Sequence, residues 1–310
     1  MTTARESSPS IELPRRAWAE LAATTPVPLS QETLDQVRGL GDPTDQDDVR
    51  EVFHPLTELI LQYAGNLGRT WGDWNSYLRL DVPRVPFILA IAGSVAVGKS
   101  TVARLLTELL RRSDTHPRVE LVTTDGFLLP NATLEHRGLL DRKGFPETYD
   151  TRALLRFVMD VKSGVPEVSA PVYSHVVYDI VPGQRQIITR PDLLVLEGLN
   201  VLQRPGDRGL AVDDFLDFSV YVDADEAAIE RWFIDRFLAL RDSAFRSPDS
   251  YFRLYAALDD AEAIATAHDV WATINGPNLR ENIAPTRERA TVTLRKTPDH
   301  KVETVRIRRI

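Results

Sequence analysis

The chain of 310 residues has no cysteine, which excludes disulfides, thiolate catalysis and zinc sites with cysteine ligands. Its six histidines are scattered without any i,i+4 pair, and this argues against a histidine-based metal site. No apolar run approaches the roughly 18 residues that a membrane-spanning helix needs. The first residues lack the basic start and apolar stretch of a signal peptide. We therefore expect a cytoplasmic protein without a membrane segment.

Positive charge is also scarce relative to negative charge. The chain has 37 Lys and Arg against 45 Asp and Glu, a net charge of −8. This balance disfavours general binding to nucleic acids or anionic membranes. The hydrophobic content of 43% is ordinary for a globular protein with a sizeable core. An anionic small substrate would need basic residues placed close to it.

A glycine-rich stretch is the strongest signal in the chain. It reads Gly93-Ser94-Val95-Ala96-Val97-Gly98-Lys99-Ser100, followed by Thr101, and matches the G-x-x-x-x-G-K-S phosphate-binding loop. The apolar run before it predicts a buried strand, and residues 101–110 predict a helix. Backbone N–H groups of such a loop surround an anion. We assign Lys99 to the phosphates of ATP and Ser100 to Mg²⁺; the alternative is a glycine-rich turn with a surface lysine.

Other apolar runs alternate with helical patterns along the chain. They predict strands over 119–123, 193–196 and 218–222, helices over 152–162 and 226–240, and a hairpin from 291–295 and 302–307. This alternation indicates an α/β fold with three layers. We expect a mostly parallel central sheet, helices on both faces and a C-terminal β-hairpin.

The region before the glycine loop is predicted to be mainly helical, unlike the alternating strands and helices that follow it. Residues 1–84 are interpreted as an N-terminal helical extension packed on the main domain of residues 85–310. Ser30 resembles the start of a short helix that reaches about residue 40. Residues 65–84 contain Gly, Trp, Asn and Pro and are predicted to form a loop.

Two carboxylates follow predicted strands. Asp125 comes after the strand over 119–123, and Glu197 comes after the strand over 193–196. Ligands of open parallel sheets bind beyond the carboxyl ends of the strands, so both should meet the glycine loop. We assign Glu197 to Mg²⁺, directly or through water, and Asp125 to accepting the proton of an attacking hydroxyl. Capping of a helix or turn is the alternative for either carboxylate alone.

Two polar segments have open interpretations. Residues 171–179 are rich in aromatic and hydroxyl groups, and they form either the lining of an acceptor pocket or an edge strand with ordinary packing. The basic cluster Arg137, Arg142 and Lys143 is mostly interpreted as a solvated loop.

Arg236 lies among the apolar residues of the predicted helix 226–240, at i,i+4 spacing from Trp232 and Leu240. A guanidinium in an apolar stripe is costly without an anionic partner. One hypothesis is a structural ion pair, or a stem that keeps its charged head in water. The other is that this helix covers the nucleotide crevice and that Arg236 meets the transferring phosphoryl group.

Together, these motifs resemble the prokaryotic type I pantothenate kinases. The resemblance rests on Gly93–Thr101, Thr123–Phe127, Lys143–Glu147, Ala170–His175, Leu196–Asn200 and Asn278-Leu279. It implies a P-loop kinase fold and ATP-dependent phosphorylation of pantothenate to 4'-phosphopantothenate, the first step toward coenzyme A. It also implies a homodimer and feedback inhibition by coenzyme A.

The resemblance further implies roles for individual residues. Those implied to contact pantothenate are Tyr173, His175, Phe233 and Asn278. Those implied to meet coenzyme A phosphates are Arg104, Lys143 and His175, while Lys296 and His300 are implied to lie near an adenine. Arg236 aligns with an arginine of the family. Phe233 is a departure, because it stands where the family motif W-Y-x-x-R carries tyrosine.

Two other functions remain as alternatives. One is another P-loop small-molecule kinase, similar to a uridine kinase or a phosphoribulokinase. The other is a non-catalytic, nucleotide-dependent regulator. A guanine-reading switch should carry an Asn/Thr-Lys-x-Asp segment, and the chain has none.

Overall fold

The computed structural model describes residues 9–22, 29–82, 84–116, 118–204 and 209–309. The strands are β1 (Ser10–Pro14), β2 (Phe87–Gly93), β3 (Val119–Thr123), β4 (Glu167–Ser174), β5 (Asp179–Thr189), β6 (Leu193–Glu197), β7 (Phe218–Asp223), β8 (Val292–Lys296) and β9 (Val302–Arg308). The α-helices of five or more described residues are α1 (Arg15–Ala19), α2 (Gln31–Val37), α3 (His54–Leu78), α4 (Lys99–Leu110), α5 (Asn131–His136), α6 (Thr151–Lys162), α7 (Glu226–Arg241) and α8 (Asp260–Val270).

The central sheet has seven strands in the order β1-β9-β8-β7-β2-β6-β3. Strands β8, β7, β2, β6 and β3 run parallel. Every residue of β2 is buried, as expected for a parallel strand covered on both faces. The predicted α/β fold with a mostly parallel central sheet is confirmed, and β8 and β9 form the predicted C-terminal hairpin.

The N-terminal region contributes a strand that was not predicted from the sequence. β1 pairs antiparallel with β9, at one edge of the sheet. Trp18 of α1 is buried, and its Nε1 donates to the carbonyl of Val52 at 3.0 Å. Residues 1–8 and 23–28 of the polar N-terminal region lie outside the described residues. The division of the chain at residue 84 stays a prediction.

The opposite edge of the sheet is β3. There the side chain of Gln186, on β5, donates to the carbonyl of Leu121 at 2.9 Å. β5 pairs with β4 in a separate two-stranded sheet. This contact connects the small sheet to the large one at the middle of β3.

The predicted loop over 65–84 is wrong for most of its length, because α3 continues to Leu78 and has 25 residues. Glycine weakens a helix by about 1 kcal/mol per residue relative to alanine. The first half of α3 outweighs this cost, since Leu56 and Ile60 are fully buried and a packed helix propagates readily. The helix ends at Arg79, which adopts a left-handed conformation with φ of 56°.

The predicted start of the short helix at Ser30 is confirmed. The Ser30 hydroxyl accepts a hydrogen bond from the N–H of Thr33 at 3.1 Å and so caps α2. None of the helices in the described ranges combines the length and apolarity that crossing a bilayer requires.

Candidate active site

The glycine loop joins β2 to α4, in the strand–loop–helix arrangement that its pattern predicts. Gly93 and Gly98 have positive φ of 148° and 94°, and Ala96 has 64°. A Cβ on Gly93 would lie 2.7 Å from the carbonyl oxygen of Val222, so no larger residue fits there. Left-handed turns of this kind before a helix start form the concave sites that bind phosphate.

Lys296, at the end of β8, supports the loop from inside the protein. It is only 5% exposed, and its Nζ donates to the carbonyl of Val97 at 3.1 Å. A Cβ on Gly98 would lie 2.8 Å from this Nζ and 3.4 Å from Oδ2 of Asp42. Burial lowers the pKa of Lys296, and the charge of Asp42 opposes that shift. Asp42 was missed as a site residue, because its local sequence, Asp42-Pro43-Thr44, indicates only the start of a helix.

Lys99, Ser100 and Glu197 meet at one point of the crevice. Nζ of Lys99 lies 3.2 Å from Oε1 of Glu197, and Oγ of Ser100 donates to the same oxygen at 3.2 Å. The parallel register of β2 and β6 places Ile91 opposite Glu197, which brings the carboxylate under the loop. Glu197 is 7% exposed and therefore holds the Lys99 ammonium in a largely buried pair.

These residues fit a magnesium ion that is shared with a nucleotide. A hydroxyl and a carboxylate are the hard oxygen ligands that Mg²⁺ prefers, and Mg²⁺ usually completes its shell with water and substrate phosphates. The described residues contain no group of three or more acidic, histidine or cysteine side chains that could hold a metal alone. Oγ of Ser94, in the glycine loop, is buried and has no hydrogen-bond partner among the described residues. This is expected in a loop that receives a ligand.

Asp125 lies in the short 3₁₀ turn Thr124–Phe127 that follows β3. Thr123 pairs with Glu197 across β3 and β6, so the two carboxylates occupy adjacent strand ends, as expected. Desolvation raises the pKa of Asp125, and the negative charge of Glu197 raises it further; Lys99 opposes both. A carboxylate with a raised pKa is a stronger proton acceptor than an ordinary aspartate.

Strand β4 passes directly over the turn that carries Asp125. A Cβ on Gly126 would lie 2.2 Å from the carbonyl oxygen of Pro171, so this close approach requires glycine. The approach brings Tyr173 of β4 beside the carboxylates. Residues 171–174 are thus part of a strand, as one interpretation of this segment predicts, whereas the lining of an acceptor pocket stays a prediction.

The tyrosines of this wall surround Lys143. Its Nζ lies 4.0 Å from the ring centre of Tyr178 and 5.0 Å from that of Tyr173. It donates to Oδ1 of Asn131 at 2.6 Å and to the carbonyl of Tyr178. Burial lowers the pKa of Lys143 to about 8. The interpretation of the basic cluster as a solvated loop is therefore wrong for Lys143, because cation–π and hydrogen-bond partners hold it inside.

His175 and Asn278 border the same wall. The ring of His175 is exposed and lies 5.2 Å from the ring of Tyr173. Desolvation in the crevice lowers its pKa, against the opposing charge of Asp125. Asn278 is buried; it donates to the carbonyl of Gly144 at 2.9 Å and accepts from Nδ2 of Asn282 at 3.0 Å. Asn278 therefore fixes the segment that carries Lys143, and its contact with a substrate stays a prediction.

Helix α7 borders the crevice from the other side. Phe233 is half-buried, with its ring 5.8 Å from that of Trp271. The ring of Trp232 stacks on the ring of His300, with the ring centres 3.9 Å apart. Nε1 of Trp232 donates to the carbonyl of Pro298 at 3.2 Å. The predicted adenine contacts of His300 and Lys296 stay predictions, since one is stacked on tryptophan and the other supports the loop.

Arg236 as a whole residue is exposed, and within the described ranges its guanidinium has no carboxylate at ion-pair distance. The structural ion pair is therefore wrong, whereas a stem that keeps its charged head in water and a contact with the phosphoryl group both stay open. Desolvation and the charge of Arg104 lower the pKa of Arg236, whereas Glu197 and Asp125 oppose the shift. Arg236 thus shares the electrostatic surroundings of the crevice. Arg104 is anchored there by its Nε, which donates to the carbonyl of Val37 at 2.7 Å.

The parallel sheet, the phosphate loop and the strand-end carboxylates define a protein of the P-loop kinase class. The model of the "Phosphoribulokinase / Uridine kinase family" matches residues 88–246. The solved structure of D-glycerate 3-kinase from Cryptococcus neoformans var. grubii has a TM-score of 0.57 at 12% identity, over 80% of this chain and 97% of that one. At this identity the likeness shows a shared fold.

Two relatives are much more similar to this chain in sequence. The pantothenate kinase of Cutibacterium acnes is 58% identical over 98% of this chain and 96% of its own length. The pantothenate kinase of Streptomyces coelicolor is 54% identical, over 98% of this chain and 95% of its own. The chain belongs to the pantothenate kinase family.

We expect Lys99→Ala to remove most ATP binding as well as turnover, because the ammonium neutralises phosphate charge already in the ground state. Calorimetric titration with ATP measures the loss directly. Lys162→Ala is the control, since Lys162 pairs with Asp217 and bonds to the carbonyl of Pro86, at the opposite ends of the strands. Unchanged ATP affinity in Lys99→Ala would contradict the role of Lys99.

Proposed function

We propose that this chain transfers the γ-phosphate of ATP to the primary hydroxyl of pantothenate and forms 4'-phosphopantothenate, the first step toward coenzyme A. The observation that carries the proposal is the strand-end crevice in which Lys99, Ser100 and Glu197 meet beside Asp125. The relatives named pantothenate kinase, similar over nearly the full chain, support the acceptor.

In the proposed reaction the loop and Lys99 hold the β- and γ-phosphates of ATP. Mg²⁺, held by Ser100 and Glu197, would neutralise phosphate charge. The hydroxyl oxygen of the acceptor attacks the γ-phosphorus, and its proton passes to Asp125. The bond from the γ-phosphorus to the bridging oxygen breaks, and ADP leaves with that electron pair. Arg236 meets the negative charge on the phosphoryl group during transfer.

The acceptor is proposed to lie between the β4 wall and α7. Tyr173 of β4 and His175 just after β4 would contact it from one side, and Phe233 of α7 from the other, with Asn278 behind them. Because Phe233 lacks a hydroxyl, its contact is purely apolar. The walls thus offer aromatic faces beside the base, which suits a small acceptor with branched apolar carbons.

A panel of acceptors with labelled ATP tests this function. Pantothenate, uridine and ribulose 5-phosphate are compared at equal concentration, with Asp125→Asn as the inactive control. We expect transfer to pantothenate to exceed transfer to the other two. Preferred transfer to uridine or ribulose 5-phosphate would show that pantothenate is not the preferred acceptor. ATP binding without transfer to any of the three would favour a non-catalytic regulator.

We expect coenzyme A to inhibit by competing with ATP, with its phosphates bound by Arg104, Lys143 and His175 and its adenine near Lys296 and His300. Among the described residues Arg104 is hydrogen-bonded only through Nε, so its terminal nitrogens remain for an anion. Initial rates at varied ATP and fixed coenzyme A should give a competitive pattern that weakens in Arg104→Ala. A purely noncompetitive pattern would contradict the shared site.

We further propose Mg²⁺ as the metal and a homodimer as the assembly. The oxygen pair of Ser100 and Glu197 supports the metal, and the resemblance of the motifs supports the dimer. Cytoplasmic location stays a prediction from the sequence.

A further inference from the structure

Tyr149 is a buried phenol whose hydroxyl lacks a partner. The residue is 5% exposed, and its oxygen makes no hydrogen bond in the described part of the chain. Buried polar side chains nearly always have a partner, and one left without it costs stability. The hydroxyl is therefore suited to a partner that arrives from outside the protein.

The backbone fixes Tyr149 beside the turn that carries Asp125. Leu128 and Tyr149 form an isolated antiparallel bridge. The N–H of Leu129 donates to the carbonyl of Thr148 at 2.8 Å, and the N–H of Asp150 donates to the carbonyl of Phe127 at 2.8 Å. Because these bonds lie on both sides of Tyr149, its backbone cannot move away from the turn without breaking them.

Other buried oxygens without a partner lie around the same crevice. They belong to Ser94 in the glycine loop and to Thr124 before Asp125. With Tyr149 included, unpartnered buried atoms in three separate segments of one crevice indicate a surface completed by its ligands. Tyr149 is the phenol of this group, and it can donate as well as accept.

The charges that act on the phenol are those of the catalytic carboxylates. Burial raises the pKa of Tyr149, and the charges of Asp125 and Glu197 raise it further. The phenol therefore remains protonated at every working pH and acts as a donor. The same two carboxylates would repel an anionic partner, so the expected partner is an uncharged oxygen.

We propose that the Tyr149 hydroxyl donates a hydrogen bond to an uncharged oxygen of the acceptor substrate, next to the hydroxyl that Asp125 deprotonates. This inference rests on the proposed kinase function. In pantothenate the secondary hydroxyl and the amide carbonyl are the uncharged oxygens nearest to the primary hydroxyl. Tyr149 accepts no proton in the reaction; it binds and orients the acceptor.

Tyr149→Phe tests the proposal, because it removes the hydroxyl and retains the ring. We expect the KM for the acceptor to rise about tenfold, as for one lost hydrogen bond, while the KM for ATP stays unchanged. The Tm without ligands should rise by about 1–3 °C, because an unsatisfied buried group is removed. The control is Tyr221→Phe on β7, a buried phenol whose charged neighbours are Asp223 and Arg287; its acceptor KM should not change.

The opposite signatures overturn the proposal. An acceptor KM that is unchanged in Tyr149→Phe would overturn it, whether or not the pH profile of kcat changes. A lower Tm or an unfolded variant would assign the hydroxyl to the fold. The comparison uses whichever acceptor the wild type phosphorylates: a wild type inactive on pantothenate contradicts the proposed function, whereas a variant with the wild-type KM contradicts only the role of Tyr149.

Discussion

Asp125→Asn should lower kcat by about 10²- to 10⁴-fold while ATP affinity stays close to the wild-type value. The amide cannot accept the proton of the attacking hydroxyl. Asp125 lies at the end of β3, and the contacts assigned to the phosphates come from Lys99 and the glycine loop instead. Steady-state kinetics and ATP titration separate the two effects. Asp141→Asn, which alters an exposed carboxylate, is the control and should change neither.

The raised pKa of Asp125 adds a pH dependence to this expectation. Desolvation and Glu197 raise the pKa in the folded state above the ordinary value of 3.8, so the folded protein binds the proton more tightly than the unfolded chain. The resulting stabilisation is fully present below the unfolded pKa and is lost as pH rises through the folded pKa. At neutral pH we therefore expect the Asn variant, which cannot ionise, to melt no lower than the wild type. In the wild type, kcat should rise with pH through that raised pKa.

Two results would contradict the role of Asp125. Normal turnover in Asp125→Asn would exclude it as the base. A defect mainly in Mg²⁺ dependence, with proton transfer intact, would exchange its role with that of Glu197. A titration of activity against Mg²⁺ at saturating ATP distinguishes the second case.

Arg236→Ala should lower kcat by about 10³- to 10⁵-fold, because an arginine that meets a transferring phosphoryl group acts mainly in the transition state. Its Tm and ATP affinity should stay near those of the wild type, since the described residues give the guanidinium no carboxylate partner whose loss would destabilise the fold. Arg236→Lys should recover only part of the rate, because a point charge cannot reproduce the planar fork. Single-turnover kinetics and thermal melting measure these effects.

Arg231→Ala is the matched control, because Arg231 is an exposed arginine of the same helix α7. It should keep the wild-type rate. If Arg236→Ala instead melts at a lower temperature and keeps its activity per folded molecule, Arg236 supports the fold and has no role in transfer.

The part of the site that is local in sequence could be predicted from the sequence. The glycine loop carries its own pattern, and Asp125 and Glu197 each follow a predicted strand, of which the one before Glu197 is fully buried. Because parallel strands end at one edge of a sheet, these positions alone predict that the carboxylates meet the loop.

Contacts between distant segments could not be predicted in the same way. Asp42 and Lys296 meet beneath Gly98, although each belongs to a different end of the chain and neither has a local signal. In the sequence Tyr149 is one aromatic residue among many. What distinguishes it in the structure is a buried hydroxyl without a hydrogen-bond partner among the described residues. For the second half of α3 the glycine content predicted a loop, whereas the packing of the first half stabilises a continuous helix.

The edges of the central sheet limit how two molecules can join. Unpaired strand edges are where sheets extend into neighbouring chains. β1 is a five-residue edge that ends at Pro14, which has no N–H to offer, and on β3 the carbonyl of Leu121 already accepts from Gln186. Both features oppose extension of the sheet from one copy into another. They favour a homodimer interface away from the two sheet edges, and the same features resist strand-to-strand aggregation.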